Sequence, residues 1–370
     1  MQNIKLIVIM VLLGNVNMFA QPKTLTLTSN ILNEERQILI GLPDSYEYDG
    51  GDFKYPLLLL TDAEWHFDMV CRATKLLYQN GFPKIIVAAI INNNRGKDLT
   101  FSNTPEIDGS GNAYNFYRFI NEELLKRLEE DYRISDFRTL MGHSLGGLFA
   151  AYSITQNTDA FDAIVAITPT IRWDNFKLLD SFTSDLMKKL NKSGKPIFIG
   201  IGSETGPERE GVLRLKKLFE SHHFSSFAYK EYLDESHVTV PWKAYFDGIK
   251  FIFDPFQLPA EYSDLDFSKT MEYYKKVGST FDYDKRVPQR ILFNRGYGAL
   301  EADNNIEARK IFEYYKQVYP NVPIPYTALG DINFDLKKYP VSKENYEMAY
   351  KLFPTDYVKK RIEALEKLID

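Results

Sequence analysis

Arg138-Thr139-Leu140-Met141-Gly142-His143-Ser144-Leu145-Gly146-Gly147-Leu148-Phe149-Ala150-Ala151 is the stretch whose reading decides the fold of this 370-residue chain. Arg138–Met141 reads as a strand, and a helix begins near Leu145. The turn between them is so tight that its flanks must lack bulk, which is the role of Gly142 and Gly146. Gly147, Ala150 and Ala151 are small, so the following helix can pack close to a sheet. A serine at the tip of such a strand–turn–helix is presented as a nucleophile, and Ser144 is the candidate. A bare G-x-S-x-G pattern arises by chance in a chain this long at roughly the one-in-ten level, given usual Gly and Ser frequencies. The strand before it and the helix after it give it weight.

The same rhythm extends on both sides. Thr24–Thr28 alternates apolar and polar residues, and Arg36–Leu42 reads as its antiparallel partner. Short apolar runs then follow at Pro56–Leu60, Lys84–Ile91, Ala163–Ile167 and Pro196–Ile201, the pattern of strands buried on both faces of a parallel sheet. Phe227–Leu233 reads as the last strand. Helical periodicity occupies the gaps: Asn115–Asp131 puts Phe116, Phe119, Ile120, Leu124 and Leu128 on one face, and Gly211–Glu220 does the same with Val212, Leu215, Leu218 and Phe219. An antiparallel start followed by parallel βα units is a layered α/β architecture. Trp173–Asn191 is expected to carry a helical cap over the site.

Near Asp254–Pro259 two prolines break the rhythm, and everything beyond is helical. Ile291–Pro320 and Pro325–Pro354 are self-similar at a spacing of 34 residues: Gly296 matches Gly330, Ala308 matches Ser342, Phe312 matches Tyr346 and Pro320 matches Pro354. This is the tetratricopeptide (TPR) period. With helices at Phe267–Val277 and Tyr357–Ile369, the expectation is a small TPR-like all-α domain. The expected division is a signal peptide at 1–20, the α/β domain at 21–256 and the helical domain at 257–370.

Composition narrows the function. The net charge of −5, with no long single-sign run, argues against a nucleic-acid or anionic-membrane binder. The single cysteine, Cys71, excludes an internal disulfide and any cysteine-based zinc site, and it falls in an expected helix (Trp65–Gln79) as a buried, inert thiol. No metal or organic cofactor is implied. Residues 1–20 hold Lys5, an apolar run through Leu13 and a cleavage point at Phe19-Ala20-Gln21. Export to the periplasm or medium is therefore expected, with no membrane span once the segment is removed.

The nucleophile needs a base, an acid and an oxyanion hole. Of five histidines, His237 follows the last strand in Asp234–Pro241, where this architecture returns the base in the chain order Ser, acid, His. His143 points away from Ser144, His222 and His223 end a helix on an exposed turn, and His66 opens a helix where it lines the pocket. The acid follows Pro196–Ile201: Glu204 comes first, with Glu208 and Glu210 as alternatives that also suit a helix N-terminus. The hole combines the backbone N–H of Leu145 with one from Thr61–Phe67, that of Glu64 or, second, Ala63. Trp173 either stacks on a substrate ring or packs in the core. Arg95 either binds a substrate anion or braces its loop by pairing with Asp98.

Together these stretches resemble the putative esterase family of α/β-hydrolases, which includes enterochelin (ferric siderophore) esterases, S-formylglutathione hydrolase, feruloyl esterases and mycolyltransferases. The resemblance runs from about Leu25 to Phe253. Asn92–Thr100 resembles the family's loop with Asn, Arg and Asp-Leu-Thr, with Phe101 where proline is usual. Glu235–Pro241 resembles its His-x-Ser-Val-Pro block, with Thr239 in the serine's place. Leu58–Trp65 resembles its Leu-Asp-Gly-x-x-Trp oxyanion segment, with Ala63 for glycine, and Thr168–Trp173 its Ser-Pro-Ser-x-x-Trp. The siderophore-esterase branch is nearest. The resemblance implies an α/β-hydrolase fold and hydrolysis of a small organic ester through an acyl-enzyme. Siderophore trilactones come first among substrates, acyl- or feruloyl-sugar esters second. Two rivals share the sequence: an acyltransferase on the same fold, and an inert scaffold whose repeats bind a partner protein or a second copy.

Overall fold

The computed structural model describes residues 22–47, 53–156, 159–262 and 266–369. The expected signal peptide therefore lies outside the described residues. Eight strands form one sheet in the order β1-β2-β4-β3-β5-β6-β7-β8: β1 (Lys23–Ser29), β2 (Glu34–Gly41), β3 (Tyr55–Leu60), β4 (Ile86–Ile90), β5 (Ile134–His143), β6 (Ala163–Ile167), β7 (Ile197–Ile201) and β8 (Phe227–Glu231). The β1–β2 and β2–β4 pairs are antiparallel and every later pair is parallel. Every residue of β3, β4, β6 and β7 is buried, as expected of strands covered on both faces. This is the α/β-hydrolase arrangement. The chain divides into two compact units, the first ending at Ile252 and the second formed by Leu76–Pro83 with the chain from Phe253 onward.

The crossover helices that matter for the site are α1 (Ala63–Gln79), the one-turn α2 (Arg95–Asp98), α3 (Ala113–Phe119) and α4 (Leu125–Asp131), α5 (Leu145–Ile154), α6 (Ser184–Ser193), α7 (Gly206–Ser221) and α8 (Val240–Phe253). The expected helix over 115–131 is one continuous rod, but Ile120–Leu124 is a wider π turn between α3 and α4. Within that turn Glu123 accepts from the backbone N–H groups of Asn30 (3.0 Å) and Ile31 (3.2 Å), holding the β1–β2 turn.

The expected cap is not a cap. Trp173–Phe176 is a kinked turn with Asp174, Asn175 and Phe176 all at positive φ. After it α6 buries Met187 and Leu190 fully in the same core as β5, β6 and β7. Each such side chain contributes about 2 kcal/mol by leaving water. An amphipathic helix between β6 and β7 is here an ordinary layer of the sheet.

The second unit is all helix, with α9 (Phe267–Thr280), α10 (Gln289–Glu301), α11 (Asn305–Val318), α12 (Pro323–Asp335), α13 (Tyr339–Leu352) and α14 (Asp356–Ile369). The sequence self-similarity has a packing cause. A Cβ on Gly296 would lie 2.6 Å from the Phe312 ring, and one on Gly330 would lie 2.7 Å from the Tyr346 ring. In both hairpins the first helix has a glycine where the second helix inserts an aromatic.

Candidate active site

All the segments expected to carry chemistry emerge at the C-terminal edge of the parallel sheet, where open α/β sheets place their sites. β5 ends at His143, opposite Ile167 of β6, and Leu60 at the end of β3 lies opposite Met141. Ser144 sits on the turn between β5 and α5 with φ 59° and ψ −118°. Its N–H donates to the Ile167 carbonyl (2.9 Å), and its carbonyl accepts from Thr170 (3.2 Å) and Leu148 (2.9 Å). A non-glycine residue at positive φ costs of order 1–3 kcal/mol, supplied by the packing around it. Ser144 is the only residue from Met141 to Ala150 that is not buried.

The flanking glycines are required by contact. A Cβ on Gly142 would lie 2.1 Å from the Gly146 carbonyl oxygen. One on Gly146 would lie 2.2 Å from Thr61 Oγ1, and one on Gly147 2.8 Å from the Ile167 carbonyl oxygen. The elbow, the β3–α1 loop and β6 thus approach at backbone distance.

His237 follows β8 in the loop that leads into α8. Its Nδ1–H donates to Glu204 Oε1 at 2.9 Å, with the Glu204 side chain 6% exposed and that of His237 42% exposed. Nε2 is then the ring nitrogen that carries the lone pair. Burial pushes the Glu204 carboxyl up, but the hydrogen bond from His237, its own backbone N–H and the nearby Thr168 hydroxyl outweigh that and hold it below the usual carboxylate range. Gly202 lets the acid loop meet the histidine loop, since a Cβ there would lie 2.8 Å from the Glu235 carbonyl oxygen. Glu208 is occupied elsewhere, in an ion pair with Arg172, which also binds Glu106 at 2.7 Å. Glu210 pairs with Arg214 on α7. Of the three expected acids, Glu204 alone reaches His237.

The His237 ring lies 4.6 Å from that of His143, the residue before Ser144. His143 in turn lies 5.4 Å from His66, which packs 5.3 Å from Tyr245 of α8. His66 is 5% exposed, so it backs the site from within rather than lining it for a substrate. Burial pushes its imidazole down to about 4, and His143 down to about 3 with help from its neighbours His237, His66 and Arg95. Both are neutral in ordinary buffers.

At the hole, α5 begins at Leu145 and α1 at Ala63, so their first N–H groups lack acceptors within the helix. Among the described residues, the N–H groups of Leu145, Ala63 and Glu64 donate to no backbone carbonyl outside their own helices. The Glu64 carboxylate accepts the Asn92 N–H at 2.9 Å, which fixes the start of α1.

Two expected binding residues are corrected. Trp173 is 1% exposed and its indole N–H donates to Ser102, so it packs in the core and has no free face for a ring. Arg95 does not pair with Asp98: its Nε donates to Asp62 Oδ1 at 2.7 Å, while Asp98 pairs with the buried Arg36 at 2.6 Å. Asp62, Asn92, Tyr245 and Trp65 also stand at the site, and the sequence alone assigns them no role. Asp62 and Trp65, in the oxyanion segment, and Asn92, in the Asn92–Thr100 loop, carry a local signal; Tyr245 carries none. Cys71 is half-buried, and burial pushes its thiol up to about 12, an unreactive form. Among the described residues no group of three or more His, Cys, Asp or Glu is gathered as a metal site, and no helix is long and apolar enough to cross a membrane.

Comparison with known proteins gives a match of residues 29–248 to the family described as "Putative esterase". The chain is 32% identical to ferri-bacillibactin esterase BesA of Bacillus subtilis over 206 residues, covering 48% of this chain and 70% of that protein. It is 29% identical to a siderophore enterobactin esterase of Emericella nidulans over 178 residues, covering 40% of this chain and 59% of that protein. An IroE-like serine hydrolase from Shewanella oneidensis shares the fold with a TM-score of 0.68 at 22% identity, over 80% of this chain and 100% of its own.

Proposed function

This chain belongs to the "Putative esterase" family and is a serine esterase; from that premise we propose that it cleaves a siderophore-type ester through an acyl intermediate on Ser144. The observation that carries the reading is the 2.9 Å bond from His237 to Glu204, made beside the strained turn that presents Ser144. His237 Nε2 takes the Ser144 hydroxyl proton as Oγ attacks the ester carbonyl carbon. The oxyanion rests on the N–H groups of Leu145 and Glu64. Collapse breaks the C–O bond, and the imidazolium returns its proton to the departing alkoxide. Water, deprotonated by the same nitrogen, then releases the acid and restores Ser144. Glu204 holds the imidazole tautomer and balances its transient charge.

For the substrate, the support is twofold. BesA and the Emericella protein bear siderophore-esterase names. Two indoles also stand exposed on the segments of the hole and the base: Trp65 at 64% and Trp242, five residues past His237, at 65%. Exposed indole faces suit planar aromatic groups such as catechols. In this reading residues 1–20 direct export to the periplasm or medium, and the TPR-like tail engages a partner protein or a second copy. The test is a screen of iron-loaded and iron-free catecholate trilactones, acyl- and feruloyl-sugar esters and lipid esters, with Ser144→Ala as control. Trilactones are expected to exceed the sugar esters in kcat/KM by roughly tenfold or more, about 1.4 kcal/mol of transition-state preference. Turnover of long-chain lipid esters alone would overturn the substrate assignment.

A further inference from the structure

We infer that Arg95 is a positioning residue for the reaction, a single guanidinium that sets the spacing between the two halves of the oxyanion hole. The inference rests on the reading of Ser144, Leu145 and Glu64 given above. It starts from Asp62, which is wholly buried and adopts φ 59° immediately before α1. A buried carboxylate in a left-handed turn needs strong partners to stay there. It has them: Arg95 Nε (2.7 Å) and Asn92 Nδ2 (2.7 Å) on one oxygen, Arg95 Nη2 (3.2 Å) and Thr61 Oγ1 (3.3 Å) on the other.

The same Nη2 donates to the carbonyl oxygen of His143 at 3.2 Å. One planar fork therefore grips the residue two before Glu64 and the residue one before Ser144. Its plane is further fixed by Trp65, whose ring centre lies 5.1 Å from the guanidinium carbon. The one-turn α2 that begins at Arg95 is anchored at its other end by the buried Asp98–Arg36 pair. The Arg95 side chain is only 24% exposed, and three of its donor contacts are spent on protein. Lysine cannot replace it, because a point charge does not make forked bonds in one plane.

The expected signature follows from what a hole does. Its donors act on the oxyanion and barely on the ground state, so a misplaced hole lowers kcat and leaves KM in place. Removing a single hole donor costs about 10²–10³ in kcat, and a loosened one should cost part of that, about 30- to 100-fold for Arg95→Met. Arg95→Lys should lie between, since it keeps the buried Asp62 compensated and lets the fold survive. Phosphorylation of Ser144 by diethyl p-nitrophenyl phosphate, which also places an oxygen in the hole, should slow in parallel.

The experiment measures kcat and KM on p-nitrophenyl butyrate and the phosphorylation rate for wild type, Arg95→Lys, Arg95→Met, Asn92→Ala and Ser144→Ala, with Tm for each. A fall in kcat and phosphorylation rate at unchanged KM, in folded Arg95→Lys and Arg95→Met, supports the inference. A raised KM with kcat retained would assign Arg95 to substrate binding instead. Wild-type kcat in folded Arg95→Lys would remove it from the hole altogether. If Ser144→Ala itself turned over at the wild-type rate, the site reading would fail, which is a separate outcome.

Discussion

Replacing Glu204 with glutamine removes one charge and almost no volume, which makes it a sharp probe of the site. In the resting enzyme the variant amide can still meet His237 Nδ1, at the 2.9 Å where Oε1 now accepts. The loss is felt when His237 becomes an imidazolium. Two opposite charges about 4 Å apart at an effective dielectric near 20 attract by about 4 kcal/mol. At about 1.4 kcal/mol per decade that is close to three decades of rate. The His237 side chain is 42% exposed, so water screens part of this attraction, and the glutamine can also stabilise the wrong tautomer, which works in the other direction. The expected loss is about 10³-fold in kcat with KM within about threefold, as befits a group that acts on the transition state. The assay is steady-state hydrolysis of p-nitrophenyl butyrate, with Tm as the fold control. Glu208→Gln is the matched comparison, because Glu208 is bound to Arg172, and it should keep kcat within about twofold. Near-wild-type turnover in Glu204→Gln, or an equal loss in Glu208→Gln, would refute the assignment of the acid.

Other consequences are as concrete. His66 and His143, pushed by burial to about 4 and about 3, are neutral in the fold but take protons near pH 6.5 once the chain unfolds. Between those values the unfolded state binds more protons, so stability is full above about 6.5 and falls as pH drops towards 4 and 3. A Tm series across this range should show a shallower acid limb in His66→Phe than in wild type; equal slopes would contradict the buried neutral state. In the helical unit, Gly330→Ala places a Cβ 2.7 Å from a Tyr346 ring that is tethered by its hydroxyl to Asp331, whereas Gly298→Ala meets nothing within 4 Å. The first should cost about 1–3 kcal/mol by overpacking. The second should gain about 0.5–1 kcal/mol from helix propensity. Thermal or urea unfolding separates them, and the same sign for both would show that the glycine–aromatic contact does not set hairpin packing.

Much of this architecture was legible because its strands are buried on both faces. Runs such as Ala163–Ile167 have one reading in a chain of this rhythm, and β6 spans those same residues. The 34-residue spacing was equally visible, since Gly296 and Gly330 are forced by Phe312 and Tyr346. What failed was information that sequence spacing does not carry. Met187 and Leu190, three residues apart, announce an amphipathic helix but not whether its apolar face meets the sheet or a substrate. Arg95 and Asp98, also three apart, invite a local pair, yet each finds its partner elsewhere in the chain: Asp62 is 33 residues away from the first and Arg36 is 62 from the second. The π turn at Ile120–Leu124 shifts the periodicity by a single residue and leaves the apolar stripe almost intact. The Glu204 assignment sat between these cases: position after β7 nominated it, but only geometry separates it from Glu208 and Glu210.

The proposed covalent intermediate on Ser144 Oγ is read out by peptide mapping with mass spectrometry after reaction with diethyl p-nitrophenyl phosphate. The expected result is a diethylphosphoryl adduct on the peptide carrying Ser144, with stoichiometric p-nitrophenolate release and loss of esterase activity, and no such adduct or release in Ser144→Ala. An adduct on another residue, or ester turnover at the wild-type rate in Ser144→Ala, would contradict it.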